Sequence, residues 1–200
     1  MAGFNLYNNK DILRRDDSYK KLNGIPRALF YCNQVKTYIC SNNSLTELDN
    51  LPPLLEVLDC SNNKISSNSL SNLPPRLEVL YCGNNQLTSL NNLPPTLKKL
   101  TCCNNQIAAL DNLPQTLEVL YCGYNNITLL DNLPLSLKRL DCTCNELVSL
   151  DNLPPTLIEL YCKFEYIKID TLPQNLKFLN NYCIKYINNN LDTFRNKIDF

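Results

Sequence analysis

The chain has 200 residues, with 19 basic and 19 acidic side chains and no histidine. This charge balance does not favour nucleic-acid binding, which typically needs a basic stripe. Without histidine, neither Ser-His-Asp nor Cys-His catalysis is available. No run of about 18 apolar residues predicts a membrane span, and the first residues lack the apolar core of a secretory signal.

The N-terminal segment, residues 1–34, precedes a repeat array and is predicted to be a cap. Its portion from Lys10 to Leu22 is charged and has few apolar positions. The core at the end of a repeat array has to be covered. We therefore expect a short helix or an irregular cap in this portion.

A Leu-Pro pair recurs along the rest of the chain at a nearly constant interval. The pairs begin at Leu51, Leu73, Leu93, Leu113, Leu133, Leu153 and Leu172, in steps of 22, 20, 20, 20, 20 and 19 residues. A fixed period of this length is typical of solenoids, in which each unit stacks on its neighbours. We predict seven to eight repeats over residues 35–187. A C-terminal cap is predicted at residues 188–200, where apolar residues fall at helical spacing.

Each unit places its apolar residues at the same positions. In the unit that begins at Leu93, Leu100 and Cys102 are two residues apart, as in a strand with one buried face. A polar run then separates Cys102 from Ile107. The spacing predicts a short strand that turns a corner before the chain re-enters the core.

An asparagine follows the strand at a fixed position in each unit. The six residues are Asn43, Asn63, Asn85, Asn105, Asn125 and Asn145. A side-chain amide both donates and accepts hydrogen bonds, and backbone groups at a buried corner need partners. We predict that these stacked amides, the asparagine ladder, bond the turn of their own unit and that of the next. The alternative is a general preference of asparagine for loops.

The opposite wall of each unit carries the Leu-Pro pair, and proline disfavours helix there. The pattern L-x-x-L-x-C-x-x-N-x-[LI] resembles the leucine-rich repeat consensus, with cysteine in the third apolar position. The short unit resembles the repeats of bacterial type III effectors of the YopM and IpaH kind and those of giant amoebal viruses. The resemblance implies a β-rich solenoid: a leucine-rich repeat horseshoe with one parallel concave sheet, a short helix-poor convex side and terminal caps.

Seven of the eleven cysteines occupy the inward position of successive units. They are Cys40, Cys60, Cys82, Cys102, Cys122, Cys142 and Cys162. In-register side chains point the same way, whereas a disulfide needs converging Cβ atoms. We interpret them as reduced, buried thiols in a cytosolic protein. Cys103 and Cys144 are expected on the outward face or in the following turn, and the cysteine spacing predicts no zinc site.

A solenoid of this kind offers a binding surface and no catalytic machinery. In effectors of the IpaH kind a separate catalytic domain follows the repeats, and this sequence has no counterpart, so the resemblance does not imply ligase activity. We expect a non-enzymatic protein–protein interaction module without a cofactor. It resembles a viral or effector-like adaptor that binds a host protein in the cytoplasm. The alternative is a structural or passively duplicated repeat protein with no dedicated partner.

Outward strand residues predict where a protein partner binds. The predicted set comprises Asp59, Tyr81, Lys99, Tyr121, Arg139, Asp141 and Tyr161. The tyrosines lie in alternate units, about 10 Å apart, and tyrosine is enriched at binding hot spots. Shorter residues between them, such as Thr101, are expected to leave troughs for partner side chains. The alternative is that tyrosine simply suits β structure.

Overall fold

The computed structural model describes residues 13–162, 172–180 and 182–183, and they form one solenoid. Its strands are β1 (Arg14–Asp16), β2 (Thr37–Ile39), β3 (Val57–Asp59), β4 (Val79–Tyr81), β5 (Lys99–Thr101), β6 (Val119–Tyr121), β7 (Arg139–Asp141), β8 (Glu159–Tyr161), β9 (Phe178–Leu179) and β10 (Tyr182–Cys183). They lie in chain order in a single sheet. The fold class predicted from the repeat is confirmed.

The sheet is parallel from β1 to β9, and β10 then pairs antiparallel with β9. Equivalent residues of successive units are in register, so Leu80, Leu100 and Leu120 stack as predicted. The sheet has more strands than the seven or eight repeats suggest, because strands also form on both sides of the regular units.

Each regular strand buries its central residue and leaves its two outer residues partly exposed. The leucine at the centre, the inward cysteine and the residue that re-enters the core are fully buried, as at Leu100, Cys102 and Ile107. Burying one such aliphatic side chain contributes about 1.5–3 kcal/mol. One apolar core therefore runs continuously through the stacked units.

Two turns of the regular units place a residue, in most cases asparagine, in the left-handed region. Asn104 has φ 55° at the corner after β5, and Asn112 has φ 60° just before the next Leu-Pro pair. Asparagine tolerates this region better than most residues. Tyr124 and Cys144 occupy the corner position of two units with φ 57° and 51°. The asparagine at this corner was not singled out by the sequence analysis.

Helical structure in the described residues consists of two short 3-10 turns, Arg27–Tyr31 and Ser67–Asn72. The second turn lies in the unit with a 22-residue step and accommodates its two additional residues. The described helices are too short and too polar to cross a membrane.

The N-terminal portion differs from the expected helix or irregular cap, because β1 extends the sheet by one strand. Arg15 aligns with the buried Tyr38 of β2, and Asp17 is 7% exposed. Arg15 Nε donates a hydrogen bond of 2.9 Å to Asp17 Oδ2, and the Tyr38 hydroxyl donates one of 3.3 Å to the same oxygen. The predicted C-terminal cap, 188–200, lies outside the described residues.

Candidate binding surface

The asparagine ladder holds the edge of the concave sheet in place. The Asn105 amide donates to the carbonyl oxygens of Cys102 at 3.0 Å and Cys82 at 3.1 Å. Its own oxygen accepts the N–H of Leu87 at 2.9 Å. The predicted ladder therefore exists, and equivalent bonds recur at Asn85 and Asn125.

The direction of the ladder differs from the prediction. Each amide links its own unit to the preceding unit, not to the next one. The reason is the position of the free groups: the Cys82 carbonyl and the Leu87 N–H flank the corner of the preceding unit and face Asn105. One side chain thus satisfies the corners of two units, which fixes the relative position of their strands.

A second row of side-chain hydrogen bonds lies on the Leu-Pro wall. Thr96 Oγ1 approaches the carbonyl oxygens of Pro75 at 2.9 Å and Leu77 at 2.8 Å. Equivalent bonds are made by Thr116, Ser136 and Thr156. This hydroxyl row was missed in the sequence. The sequence does contain the pattern: a threonine or serine stands three residues after the leucine of the Leu-Pro pair, directly before the next leucine, in four successive units.

The concave face carries the outward residues of the strands in two columns. The last residues of β3 to β8 form the first column: Asp59, Tyr81, Thr101, Tyr121, Asp141 and Tyr161. The first residues of the same strands form the second: Val57, Val79, Lys99, Val119, Arg139 and Glu159. The structure thus brings all seven predicted site residues onto one face. Their role in binding stays a prediction.

Lys99 reaches from the second column into the first. Its ammonium nitrogen lies 5.1 Å from the ring centre of Tyr81 and 5.7 Å from that of Tyr121. Both distances are within the range of a cation–π interaction. The trough expected between these rings, above Thr101, is therefore occupied by the chain's own ammonium group.

Thr101 lies on the same strand face, two residues after Lys99. Its Oγ1 is shielded from solvent and has no hydrogen-bond partner among the described residues. A buried hydroxyl without a partner is unusual. Thr101 Oγ1, on the floor between the tyrosine rings, is the one buried side-chain nitrogen or oxygen among the described residues that lacks a hydrogen-bond partner.

The two aspartates of the first column adopt the same local geometry. Asp59 Oδ1 accepts the N–H of Ser61 at 3.0 Å and its hydroxyl at 2.5 Å. Asp141 Oδ1 accepts the N–H of Thr143 at 3.0 Å and its hydroxyl at 2.7 Å. Each carboxylate is thereby held in place by one oxygen. The other oxygen has no ion-pair partner in the described part of the chain.

Most cations in the strands and just before them are already paired with carboxylates. Lys36 bonds Glu56 at 2.7 Å, Lys98 bonds Glu78 at 3.0 Å, and Lys138 bonds Glu118 at 2.7 Å. Arg139 lies 3.3 Å from Glu159. Among the described residues of β2 to β8 and those just before each strand, Lys99 is the one cation without such a partner.

The seven inward cysteines are buried, with exposures of 3% or less. Burial raises the pKa of each thiol, to about 12 at Cys162 and well above the ordinary value at Cys102 and Cys122. Cys103 is half-buried and Cys144 is exposed, so the predicted strand phase is confirmed. The ten described cysteines are free, and no cluster able to hold a metal occurs among the described residues.

A protein-family model for leucine-rich repeats matches residues 53–95 and 75–115. The regular 20-residue units and the parallel solenoid agree with that match. The matched segment carries leucine-rich repeats, and the described residues have the leucine-rich repeat fold. No curated protein matched its sequence.

Solved structures of leucine-rich repeat proteins resemble this one. YopM from Yersinia enterocolitica is 33% identical over 74% of this chain and 37% of its own, with a TM-score of 0.58. A Shigella effector leucine-rich repeat domain is 26% identical over 74% of this chain and 67% of its own, with a TM-score of 0.60. CroV588, a circular leucine-rich repeat protein, is 25% identical over 74% of this chain and 24% of its own, with a TM-score of 0.59.

The predicted resemblance to effector and giant-virus repeats is confirmed by these similarities. This chain spans about a third of YopM and a quarter of CroV588. Leucine-rich repeats typically serve as protein–protein interaction modules.

Proposed function

We propose that this protein is a non-enzymatic interaction module that binds a protein partner on its concave face. The observation that carries the proposal is the Tyr81–Lys99–Tyr121 stack at the middle of the sheet. Two large rings held on either side of an unpaired ammonium form a rigid surface with both apolar and polar contacts. Tyrosines in such a setting are typical binding hot spots.

The similarity to YopM and to the Shigella effector domain supports an effector-like adaptor, and the similarity to CroV588 supports a viral one. We propose the cytoplasm, or the host cytosol if the protein is viral, as the site of action. Seven buried, free thiols suit a reducing compartment. The absence of histidine from the sequence supports a role without acid–base catalysis by imidazole.

The proposal is tested by capturing a partner from a host-like lysate with the wild-type chain and with Tyr121→Ala. Truncating a hot-spot residue costs about 2 kcal/mol or more of binding energy, so the variant should lose most of the capture. Because the Tyr121 side chain lies on the outward face of the strand and is only partly buried, the thermal midpoint should change little. Tyr124→Ala is the matched control, since that ring is 59% exposed and lies in the corner after the strand.

The alternative, a repeat protein without a dedicated partner, predicts no capture that depends on Tyr121. If the triple alanine variant of Tyr81, Tyr121 and Tyr161 captures the partner as well as the wild type does, the binding site lies off the concave face. Such a result would end the proposal for this surface.

A further inference from the structure

We propose that the concave site takes a proline-rich segment in the polyproline II conformation. In this segment an acidic residue contacts Lys99, and a basic residue contacts each of Asp59 and Asp141. The inference rests on the proposed function and names the chemistry of the partner at that site.

Charges alternate in sign along the first column. Asp59 on β3 and Asp141 on β7 each have one carboxylate oxygen without an ion-pair partner among the described residues. The Lys99 ammonium reaches this column at β5, midway between them. The face therefore presents negative, positive and negative groups at every second strand. A partner that complements it carries the opposite order, basic, acidic and basic.

The spacing of these charges matches the repeat of a polyproline II chain. A strand and its second neighbour in a sheet lie roughly 10 Å apart. A polyproline II chain has three residues per turn and rises about 3.1 Å per residue, so residues i, i+3 and i+6 share one face about 9.3 Å apart. In a β-strand, residues i and i+3 point to opposite faces. In the polyproline II conformation, one residue of each turn can therefore contact one charged group of the column.

Aromatic rings lie between the charges of the first column. Tyr81 and Tyr121 occupy the strands between the three charged positions. Grooves lined by aromatic side chains are the usual recognition surface for proline-rich segments in this conformation. Val79 and Val119, partly exposed beside the rings, extend the apolar surface. The two residues between successive charges of the ligand are therefore best supplied by prolines.

The test uses dye-labelled peptides with blocked termini and the full chain, with binding measured by fluorescence anisotropy. The first peptide is Arg-Pro-Pro-Glu-Pro-Pro-Arg. The second has the charges exchanged, Glu-Pro-Pro-Arg-Pro-Pro-Glu. The third, Arg-Pro-Glu-Pro-Pro-Pro-Arg, keeps the composition of the first but moves the acid by one residue. We expect the first peptide to bind at least about tenfold more tightly than either of the others.

Two protein variants identify the contact. Lys99→Gln should weaken binding of the first peptide by about tenfold, as expected for a central contact. Lys98→Gln is the matched control, because this neighbouring lysine is paired with Glu78, and it should leave binding unchanged. Lys99→Glu should shift the preference from the first peptide to Arg-Pro-Pro-Arg-Pro-Pro-Arg, which keeps the arginines opposite Asp59 and Asp141 and places a third opposite the new glutamate. That exchange gives a gain of binding, which damage to the fold cannot produce.

Equal binding of the three peptides, or no binding of the first at millimolar concentration, would overturn the inference. Tighter binding of a helical peptide with charges seven residues apart would overturn the polyproline II conformation. If partner capture still requires Tyr121 in either case, the proposed function stands and the peptide motif is wrong. If capture is independent of the tyrosines, the concave site itself is wrong.

Discussion

Asparagine has two separate functions at the corner of each unit, and they belong to neighbouring residues. Asn104 supplies the left-handed turn, while the amide of Asn105 bonds to backbone groups of two units. The first function depends on backbone conformation and the second on a buried amide. At the equivalent of Asn104, Tyr124 and Cys144 replace asparagine, so the turn tolerates other residues. All six predicted positions of the ladder retain asparagine.

Replacing Asn105 with alanine should destabilise the protein by about 1–3 kcal/mol. The change leaves the carbonyls of Cys82 and Cys102 and the N–H of Leu87 without the partner that they have now, and an unpaired buried polar group costs that much. The measurement is the free energy of unfolding from urea titrations followed by circular dichroism. Gln106→Ala, the exposed neighbour, is the control and should stay within about 0.5 kcal/mol of the wild type.

An unchanged urea midpoint for Asn105→Ala would contradict the structural role of the ladder. The corner would then be held by the left-handed turn and the strand hydrogen bonds alone. The control separates the two cases, because Gln106 shares the corner but makes no side-chain bond among those described.

At the scale of elements, the regular strands could be predicted from the sequence and the first strand could not. Leu100 and Cys102 reveal an inward face because both are apolar. In β1 and just after it the corresponding inward positions hold the half-buried Arg15 and the buried Asp17, and charged residues in a sequence normally predict an exposed loop. Asp17 accepts hydrogen bonds from Arg15 and from Tyr38, a residue 21 positions away that no local sequence pattern reveals.

The residues of the concave columns could also be predicted, because side chains alternate along a strand and the residues on either side of a buried leucine therefore point outward. This alternation does not determine the conformation of a long side chain. Lys99 was placed correctly on the face, yet its ammonium lies between two rings of the adjacent column. A four-carbon stem lets a lysine reach a neighbouring column, and only the structure shows which way it extends.

The Leu-Pro wall should depend on its hydroxyl row. Thr116→Val keeps the shape of the side chain but removes the bond from Oγ1 to the carbonyls of Pro95 and Leu97, at 2.7 and 2.8 Å. We expect a loss of about 0.5–1.5 kcal/mol in the free energy of unfolding. Thr128→Val is the control, because Thr128 is exposed and its hydroxyl makes no hydrogen bond within the described residues. Equal effects of the two changes would show that the row contributes nothing.

At the scale of the whole molecule, the cysteine column links stability to pH. Seven thiols lie in one core, and burial raises the pKa of each above its ordinary value of 9.0. In the unfolded chain the same thiols ionise at their ordinary pKa. Because the folded pKa is the higher one, the folded state binds more protons between the two values. The stabilisation is complete below about pH 9 and is lost as the pH rises toward the folded pKa.

We therefore predict a steep alkaline unfolding transition. Each buried thiol should lower the free energy of unfolding by about 1.4 kcal/mol per pH unit above pH 9, and seven act together. A domain has typically about 5–15 kcal/mol of stability, so the protein should unfold within one or two pH units. Urea titrations from pH 7 to 10.5, with a reductant present throughout, measure the slope.

Two variants distinguish the buried thiols from the lysines and tyrosines that also titrate in this range. Replacing both Cys102 and Cys122 with alanine should reduce the thiol contribution to the slope by about two sevenths. Cys144→Ser removes an exposed thiol and should leave the slope unchanged. If all three proteins show the same slope, the alkaline transition arises from other groups. The cysteine column would then act only as apolar packing, with no part in the pH response of the solenoid.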